Sequence, residues 1–365
     1  MAVRIIFVFF LLLVIYVANA FANPFPLRLR SGSSTAPESI VRYGFSYSFE
    51  QAQWYGLDPR NSYVELLDMG FDWVRLPFFW DQMADDSGNL KIDDLEFAIE
   101  EAAKRDVKVV IVLGAKTPYY PEYHLPAYVK EQLTFGDMIT PSHPIADDIL
   151  DIDKKVVEKL YKYENIAYWQ VENEPLLANI NNWKFDKEFL KLEVETVRST
   201  DPKSRPIMLT TASHPAFDKR YRALLGILKP GDVLGTSAYF KVEGVYLFAF
   251  SFLGKDVVVP WPNWLVWPAQ SWLFLSPNYG SIAKEASANG IDFWVEEMQS
   301  EPYIRDLEEA KSTNFSFSAQ DIVKAEQFLR STGVKNIGFW GVHFWQYRQK
   351  LGDESWIESV EPLLQ

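Results

Sequence analysis

The 365-residue chain contains no cysteine. Disulfides, thiolate metal sites and a cysteine nucleophile are therefore excluded. Positive charge is also scarce: 36 Lys and Arg stand against 49 Asp and Glu, for a formal charge of −13 at pH 7. Nucleic acid needs a cationic surface to displace its counterions, so it is not an expected partner. Only 4 histidines are present, with no H-E-x-x-H or other regularly spaced ligand set. No metal cofactor is expected. Neither G-x-G-x-x-G nor G-x-x-x-x-G-K-[ST] occurs, and the G-x-S-x-G serine elbow is missing. Dinucleotide binding, P-loop chemistry and a Ser–His–Asp hydrolase of that type all lose their sequence support.

Aromatic residues, by contrast, are plentiful. The 13 Trp, 18 Tyr and 26 Phe make up 16% of the chain, within a hydrophobic content of 48%. Such rings fill cores, and they also stack on the apolar faces of sugars.

The stretch "MAVRIIFVFFLLLVIYVANAFANPF" has Arg4, an apolar run from Ile5 to Ala18, and small residues at Ala18, Ala20 and Ala22 before Pro24. This pattern predicts a secretory signal peptide over 1–22. The alternative is an N-terminal membrane anchor, because 5–22 approaches the shortest span that crosses a bilayer. Residues 23–39 read as a linker, and 40–365 as one exported domain, secreted or held at the cell envelope.

From residue 40 onward, β-rich runs alternate with amphipathic ones. Strands are predicted at 41–47, 71–77, 107–113, 166–172, 206–211, 232–239, 291–297 and 335–343. Helices are predicted at 59–69, 93–105, 152–164, 186–199, 217–228, 276–288 and 319–332, with a last one at 353–364. Asp58 and Pro59 form an N-cap and first-turn pair for the first of these. Eight alternations with strands apolar on both faces predict an α/β fold, a (β/α)₈ TIM barrel, in preference to a doubly wound open sheet. An aromatic-rich insertion, 240–275, follows strand 6 and includes Phe240, Tyr246, Trp261, Trp264, Trp267 and Trp272. It reads as a self-packed lid or, alternatively, as a sugar-stacking wall or a surface for a membrane or partner.

Carboxylates gather at the strand ends. "VENEP" closes strand 4 with Glu172, Asn173 and Glu174, and "WVEEMQSEP" closes strand 7 with Glu296 and Glu297. Active sites of such barrels lie at the C-terminal ends of the strands, and strands 4 and 7 face each other across the mouth. Two facing carboxyls suit glycosidic bond cleavage, one protonating the leaving oxygen while the other attacks or activates water. Along an unbroken strand, Glu296 and Glu297 should point in opposite directions.

At these residues the chain resembles clan A of the glycoside hydrolases, nearest to cellulase-like (family 5) members, over about residues 40 to 350. The resemblance implies that Glu174 is the acid/base and that Asn173 orients the sugar 2-hydroxyl. It also implies that Glu297 in "FWVEEMQ" is the nucleophile. By the same resemblance Arg75 in "WVRLP" positions that nucleophile, Tyr239 in "TSAY" hydrogen-bonds it, and Trp340 in "GFWG" floors the sugar subsite. Family 5 often has a histidine two residues before this tyrosine, where Ser237 stands here. The implied activity is retaining hydrolysis of a β-linked oligo- or polysaccharide without a cofactor. A transglycosylase and a catalytically silent glycan-binding barrel are the rival readings.

Further expectations concern the neighbours. Glu172 is expected to pair with a basic group such as Arg75, and Glu296 to be structural. His124 and His214 lie on loops after strands 3 and 5, and His343 ends strand 8, so each is a candidate sugar contact. His143 reads as loop filler. A membrane contact is expected only through the N-terminal segment or the 240–275 insertion.

Overall fold

A computed structural model describes residues 40–178, 181–212, 219–241 and 278–365, the backbone of 246–252 and 255–260, and the single residue Val14. The expected signal peptide and linker, and most of the aromatic insertion, lie outside the described residues.

Eight strands close into a parallel barrel in sequential order. They are β1 (Arg42–Ser46), β2 (Trp73–Pro77), β3 (Lys108–Leu113), β4 (Ile166–Val171), β5 (Ile207–Thr211), β6 (Val233–Ala238), β7 (Asp292–Gln299) and β8 (Asn336–Trp340). Helices follow each in turn: α1 (Pro59–Asp68), α2 (Asp93–Ala103), α3 (Ala146–Leu160), α4 (Lys187–Thr200), α5 (Tyr221–Leu225), α6 (Tyr279–Ala288), α7 (Ala319–Ser331) and α8 (Val342–Lys350). The expected barrel is therefore the observed one.

Local chemistry starts several of the helices. Asp58 accepts the Asn61 N–H ahead of Pro59 in α1, Asp186 accepts the Glu188 N–H in α4, and Ser318 with Asp321 forms a capping box in α7. Several expected spans shift, α3 beginning at Ala146 where 152 was expected, and one expectation was wrong in kind. Strand β8 stops at Trp340, and "VHFWQYRQK" is helical, so His343 sits on α8 and does not end a strand. Gly341, at φ 113°, makes the break in a conformation that residues with a Cβ rarely adopt. The expected terminal helix is instead two short turns, Ser355–Glu358 and Glu361–Leu364.

Strand residues alternate between two apolar layers. Phe45, Val74, Leu76, Val109, Ile111 and Val295 pack outward against the helices. Inside the barrel a smaller cluster of Trp73, Val110, Met208, Val233 and Trp294 fills the lower interior, with the Trp73 and Trp294 rings 5.1 Å apart. Gly44 and Gly338 leave room for the Trp73 indole, whose atoms would collide with a Cβ at either position. This aromatic plug confines the polar residues to the upper mouth.

Strand β7 carries a bulge. Trp294 pairs with Gly235 and Glu297 with Ser237 on one side, while Val295 pairs with Ile337 and Met298 with Phe339 on the other. Each neighbour advances two residues while β7 advances three. The extra residue breaks the in–out alternation. Trp294 therefore enters the barrel, Val295 faces outward, and Glu296 enters again, close enough that a Cβ on Gly235 would lie 2.6 Å from its Oε2. Glu297 also faces inward, into the mouth, where it meets Arg75.

Candidate active site

Arg75, fully buried on β2, organises the mouth. Its Nε donates to Gln170 Oε1 at 2.7 Å, its Nη1 to Glu297 Oε1 at 2.5 Å, and its Nη2 to Asn173 Oδ1 at 2.6 Å. One planar guanidinium thus ties strand 2 to strands 4 and 7. Its fixed fork of donors suits that task better than a lysine would. The expected partnership of Arg75 with Glu172 is not formed. Glu172 instead accepts the Ala115 N–H at 2.8 Å and the Lys116 N–H at 2.5 Å, and so holds the loop after β3.

Glu297 has both oxygens engaged, Oε1 by Arg75 and Oε2 by the Tyr239 hydroxyl at 3.1 Å. Glu174 lies across from it. The backbone turns sharply there, with Glu172 at φ 55° and Glu174 at φ 46° on either side of Asn173. Such left-handed residues are costly unless their surroundings hold them. Several bonds do so. Thr210 Oγ1 accepts the Glu174 N–H at 2.9 Å, and the Asn173 N–H donates to the Lys116 carbonyl at 2.6 Å. The buried Lys116 ammonium caps the Glu174 and Leu177 carbonyls at 3.1 and 3.0 Å.

Ser237 donates its hydroxyl to Glu174 Oε1 at 2.7 Å. It is also the β6 partner of Glu297 in the sheet register, which puts the two carboxyls in one polar layer. Burial, and then the nearby charge of Glu297, pushes Glu174 up to about 7, against the lowering effects of Lys116 and Ser237. Glu297 carries the Arg75 guanidinium on one oxygen and the Tyr239 phenol on the other. A carboxyl poised to keep its proton therefore faces one held by a cation.

Two further groups of acids lie around this pair. Glu296, fully buried below Glu297, has no hydrogen-bond partner on either oxygen among the described residues, and burial raises its pKa well above the usual range. Asp153, Glu172 and Glu193 form a second buried set. Burial pushes Asp153 up to about 7 and Glu172 up to about 8, and Glu193, packed against both, is raised well above the usual carboxyl range.

Trp340 is partly open to solvent and stacks on Tyr119, ring centroids 4.4 Å apart. Neither His124 nor His343 is brought to the mouth. His124, 1% exposed, stacks on Phe79 at 3.9 Å beneath the loop that carries Tyr119. His343, equally buried, accepts the Ser48 N–H through Nε2, and burial lowers it to about 3. Both support the wall behind Tyr119, which corrects the expectation of sugar contacts from them. His214 lies outside the described residues, and His143 pairs loosely with Asp137 at 3.7 Å, away from these strands. Lys116, Gln170 and Thr210 escaped the sequence reading, and Ser237 entered it only as a departure from the family 5 pattern. Their residue types carry no signal, and only their places at or just past strand ends mark them.

A family model described as cellulase (glycosyl hydrolase family 5) matches residues 36–244, more than half of the chain. The match covers Arg75, Asn173, Glu174 and Tyr239 and stops before β7. No curated protein matches the sequence. Among solved structures, the β-galactosidase from Marinomonas ef1 is similar at 13% identity and a TM-score of 0.53, covering 82% of this chain and 53% of its own. The exo-β-1,4-mannosidase Op5Man5 from Opitutaceae bacterium strain TAV5 aligns at 14% identity and a TM-score of 0.54, covering 82% and 52%. PbGH5A, a family 5 enzyme from Prevotella bryantii B14, aligns at 10% identity and a TM-score of 0.51, covering 89% and 96%. The chain thus spans about half the length of the first two and nearly all of the third. At these identities the likeness is one of fold.

Proposed function

The chain belongs to glycosyl hydrolase family 5, and on that premise we propose that it is a retaining glycoside hydrolase acting on a β-linked glycan, with Glu174 as acid/base and Glu297 as nucleophile. One observation carries this reading. Within one mouth, Glu174 is buried and raised to about 7, while Glu297 is clamped by Arg75 and Tyr239. A carboxyl that keeps its proton near neutral pH, facing a second one clamped by a cation, suits the pair to the roles of acid and nucleophile.

In the first step Glu297 attacks the anomeric carbon while Glu174 gives its proton to the departing glycosidic oxygen. A glycosyl ester on Glu297 and a free leaving alcohol result. In the second step Glu174, now a carboxylate, takes a proton from water as the water attacks the same carbon, and Glu297 departs. Asn173, its Oδ1 already engaged by Arg75, has its amide nitrogen to offer to the sugar 2-hydroxyl. Tyr239 releases a hydrogen bond from Glu297 as its charge is spent, and Trp340 supplies an apolar face to the ring.

Export through the N-terminal segment belongs to the same proposal, and the intact mass of the protein from its native host tests it. The enzymatic reading is tested by screening aryl β-glycosides and β-linked polysaccharides and following the first-formed anomer by NMR. Release of the β-anomer supports the reading. The α-anomer would mean inversion, transfer to sugar without hydrolysis would favour a transglycosylase, and binding without turnover would favour a silent barrel.

A further inference from the structure

Strand β7 ends at Gln299, and two residues on, Glu301 folds back beside Trp340. It packs so tightly on Gly341 that a Cβ there would lie 2.5 Å from its Cβ and Cγ and 2.8 Å from its Cδ. Its Oε2 accepts the Tyr55 hydroxyl at 3.4 Å, and the Trp340 side chain hydrogen-bonds the same carboxyl. Neither Arg nor Lys pairs with it in the ion pairs of the described residues, and it keeps partial contact with solvent. Burial pushes it up to about 8 against those two hydrogen bonds, so it both donates and accepts near neutral pH.

Aromatic faces surround this carboxyl. Tyr119 lies face-on to Trp340, and Trp54 stands edge-on to Tyr55 at 4.7 Å with 40% of its surface exposed. The Tyr119 hydroxyl is buried and without a hydrogen-bond partner among the described residues. Glu301, Arg75 and Glu297 are the charged groups that act on it most strongly. Rings that are open in part around a carboxyl match the two surfaces of a sugar, its C–H face and its rim of hydroxyls.

We propose that Glu301 is a specificity-determining residue, hydrogen-bonding the hydroxyls of a neutral β-linked oligosaccharide on the Trp340 side of the cleaved bond, with Trp340, Tyr119 and Trp54 stacking on its rings. This rests on the glycosidase reading. The rival is a purely architectural Glu301 that fixes Tyr55 and Trp340. An architectural role predicts lost thermal stability with ligand affinity unchanged in whatever remains folded. Recognition predicts the reverse.

The test uses calorimetric titration of cellotriose, mannotriose and xylotriose into the Glu297→Ala protein, alone and combined with Glu301→Ala, Glu301→Gln or Tyr55→Phe. For the trisaccharide that binds, Glu301→Ala should raise Kd about tenfold or more, Glu301→Gln less, and Tyr55→Phe about threefold, with melting temperature little changed. Kd values within twofold across the set, or no binding of any trisaccharide, would overturn the proposal. Should Glu301→Ala fail to fold, Glu301→Gln and Tyr55→Phe carry the same test. The parent reading is judged separately by turnover. If Glu174→Ala and Glu297→Ala both keep full activity on the screened glycosides, that reading fails whatever Glu301 does.

Discussion

Glu296 and Glu297 adjoin in the chain, yet both side chains enter the barrel, one in the layer below the other. The β7 bulge produces this arrangement, since an unbroken strand would send one of them outward. The upper glutamate reaches Arg75 and Tyr239. The lower one lies against Gly235 and the Thr210 methyl, where it can only be a neutral carboxyl.

The space around Glu296 is therefore testable. A Cβ on Gly235 would lie 2.6 Å from Glu296 Oε2 and 2.9 Å from Thr210 Cγ2. Gly235→Ala should cost about 1–3 kcal/mol of stability, as overpacked cores do. Adding Glu296→Ala should recover part of that loss, giving a non-additive double-mutant cycle in urea unfolding. Strict additivity would mean that Glu296 does not occupy this space.

Arg75 joins three strands through the mouth. Arg75→Ala removes the partner of a buried carboxylate, and such changes cost about 3–5 kcal/mol. Arg75→Lys should keep more stability but lose the fork that orients Glu297, lowering kcat by about 10²-fold. Thermal melts and steady-state kinetics check the two effects, and an Arg75→Lys protein with unchanged kcat would contradict the orienting role.

The pH profile follows from Glu174. Its pKa is raised to about 7, and the first step needs its proton, so kcat/KM for poor leaving groups should fall as pH rises through about 7. Ser237 donates to the carboxyl and so favours its ionised form. Ser237→Ala should move the basic limb to higher pH. In Glu174→Ala the limb should vanish, leaving slow turnover of activated aryl glycosides. A limb that persists there belongs to another group.

Much of this could be read from the chain. Continuous apolar runs marked all eight strands because parallel barrel strands are buried on both faces, and the acids of "VENEP" and "WVEEMQSEP" stood out as charges ending such runs. The failures have definite causes. A bulge depends on pairing with two neighbours, so the orientation of Glu296 could not be read from β7 alone. "GVHFWQYRQK" is as aromatic as a strand, and only the left-handed Gly341 turns it into a helix. Glu172 looked like a natural partner for Arg75, but its left-handed backbone aims the carboxyl at the amides of 115 and 116. Lys116 and Glu301 work through position in space, which spacing along the chain does not encode.

The buried set of Asp153, Glu172 and Glu193 gives a stability prediction. Folded pKa values of about 7 for Asp153 and about 8 for Glu172 exceed the unfolded values near 4, so the folded state holds more protons between them. Stability from these groups is greatest below about pH 4 and declines as pH rises toward 8, by about 1 kcal/mol per pH unit for each retained proton. Glu193→Gln supplies N–H donors to both neighbours and should flatten that decline. Urea unfolding from pH 5 to pH 8 measures it, and an unchanged slope in the variant would show that the three carboxyls do not share protons.

Glu174 and Glu297 divide the labour of acid and nucleophile, and azide distinguishes the two roles. With an activated aryl β-glycoside, Glu297→Ala leaves the lower face of the anomeric carbon open, and added azide should restore turnover to give the α-glycosyl azide. Glu174→Ala still forms the ester on Glu297, so azide should then yield the β-glycosyl azide. NMR of the two products distinguishes them without ambiguity. Recovery of the α-azide from Glu296→Ala, with Glu297→Ala still active on its own, would contradict the account.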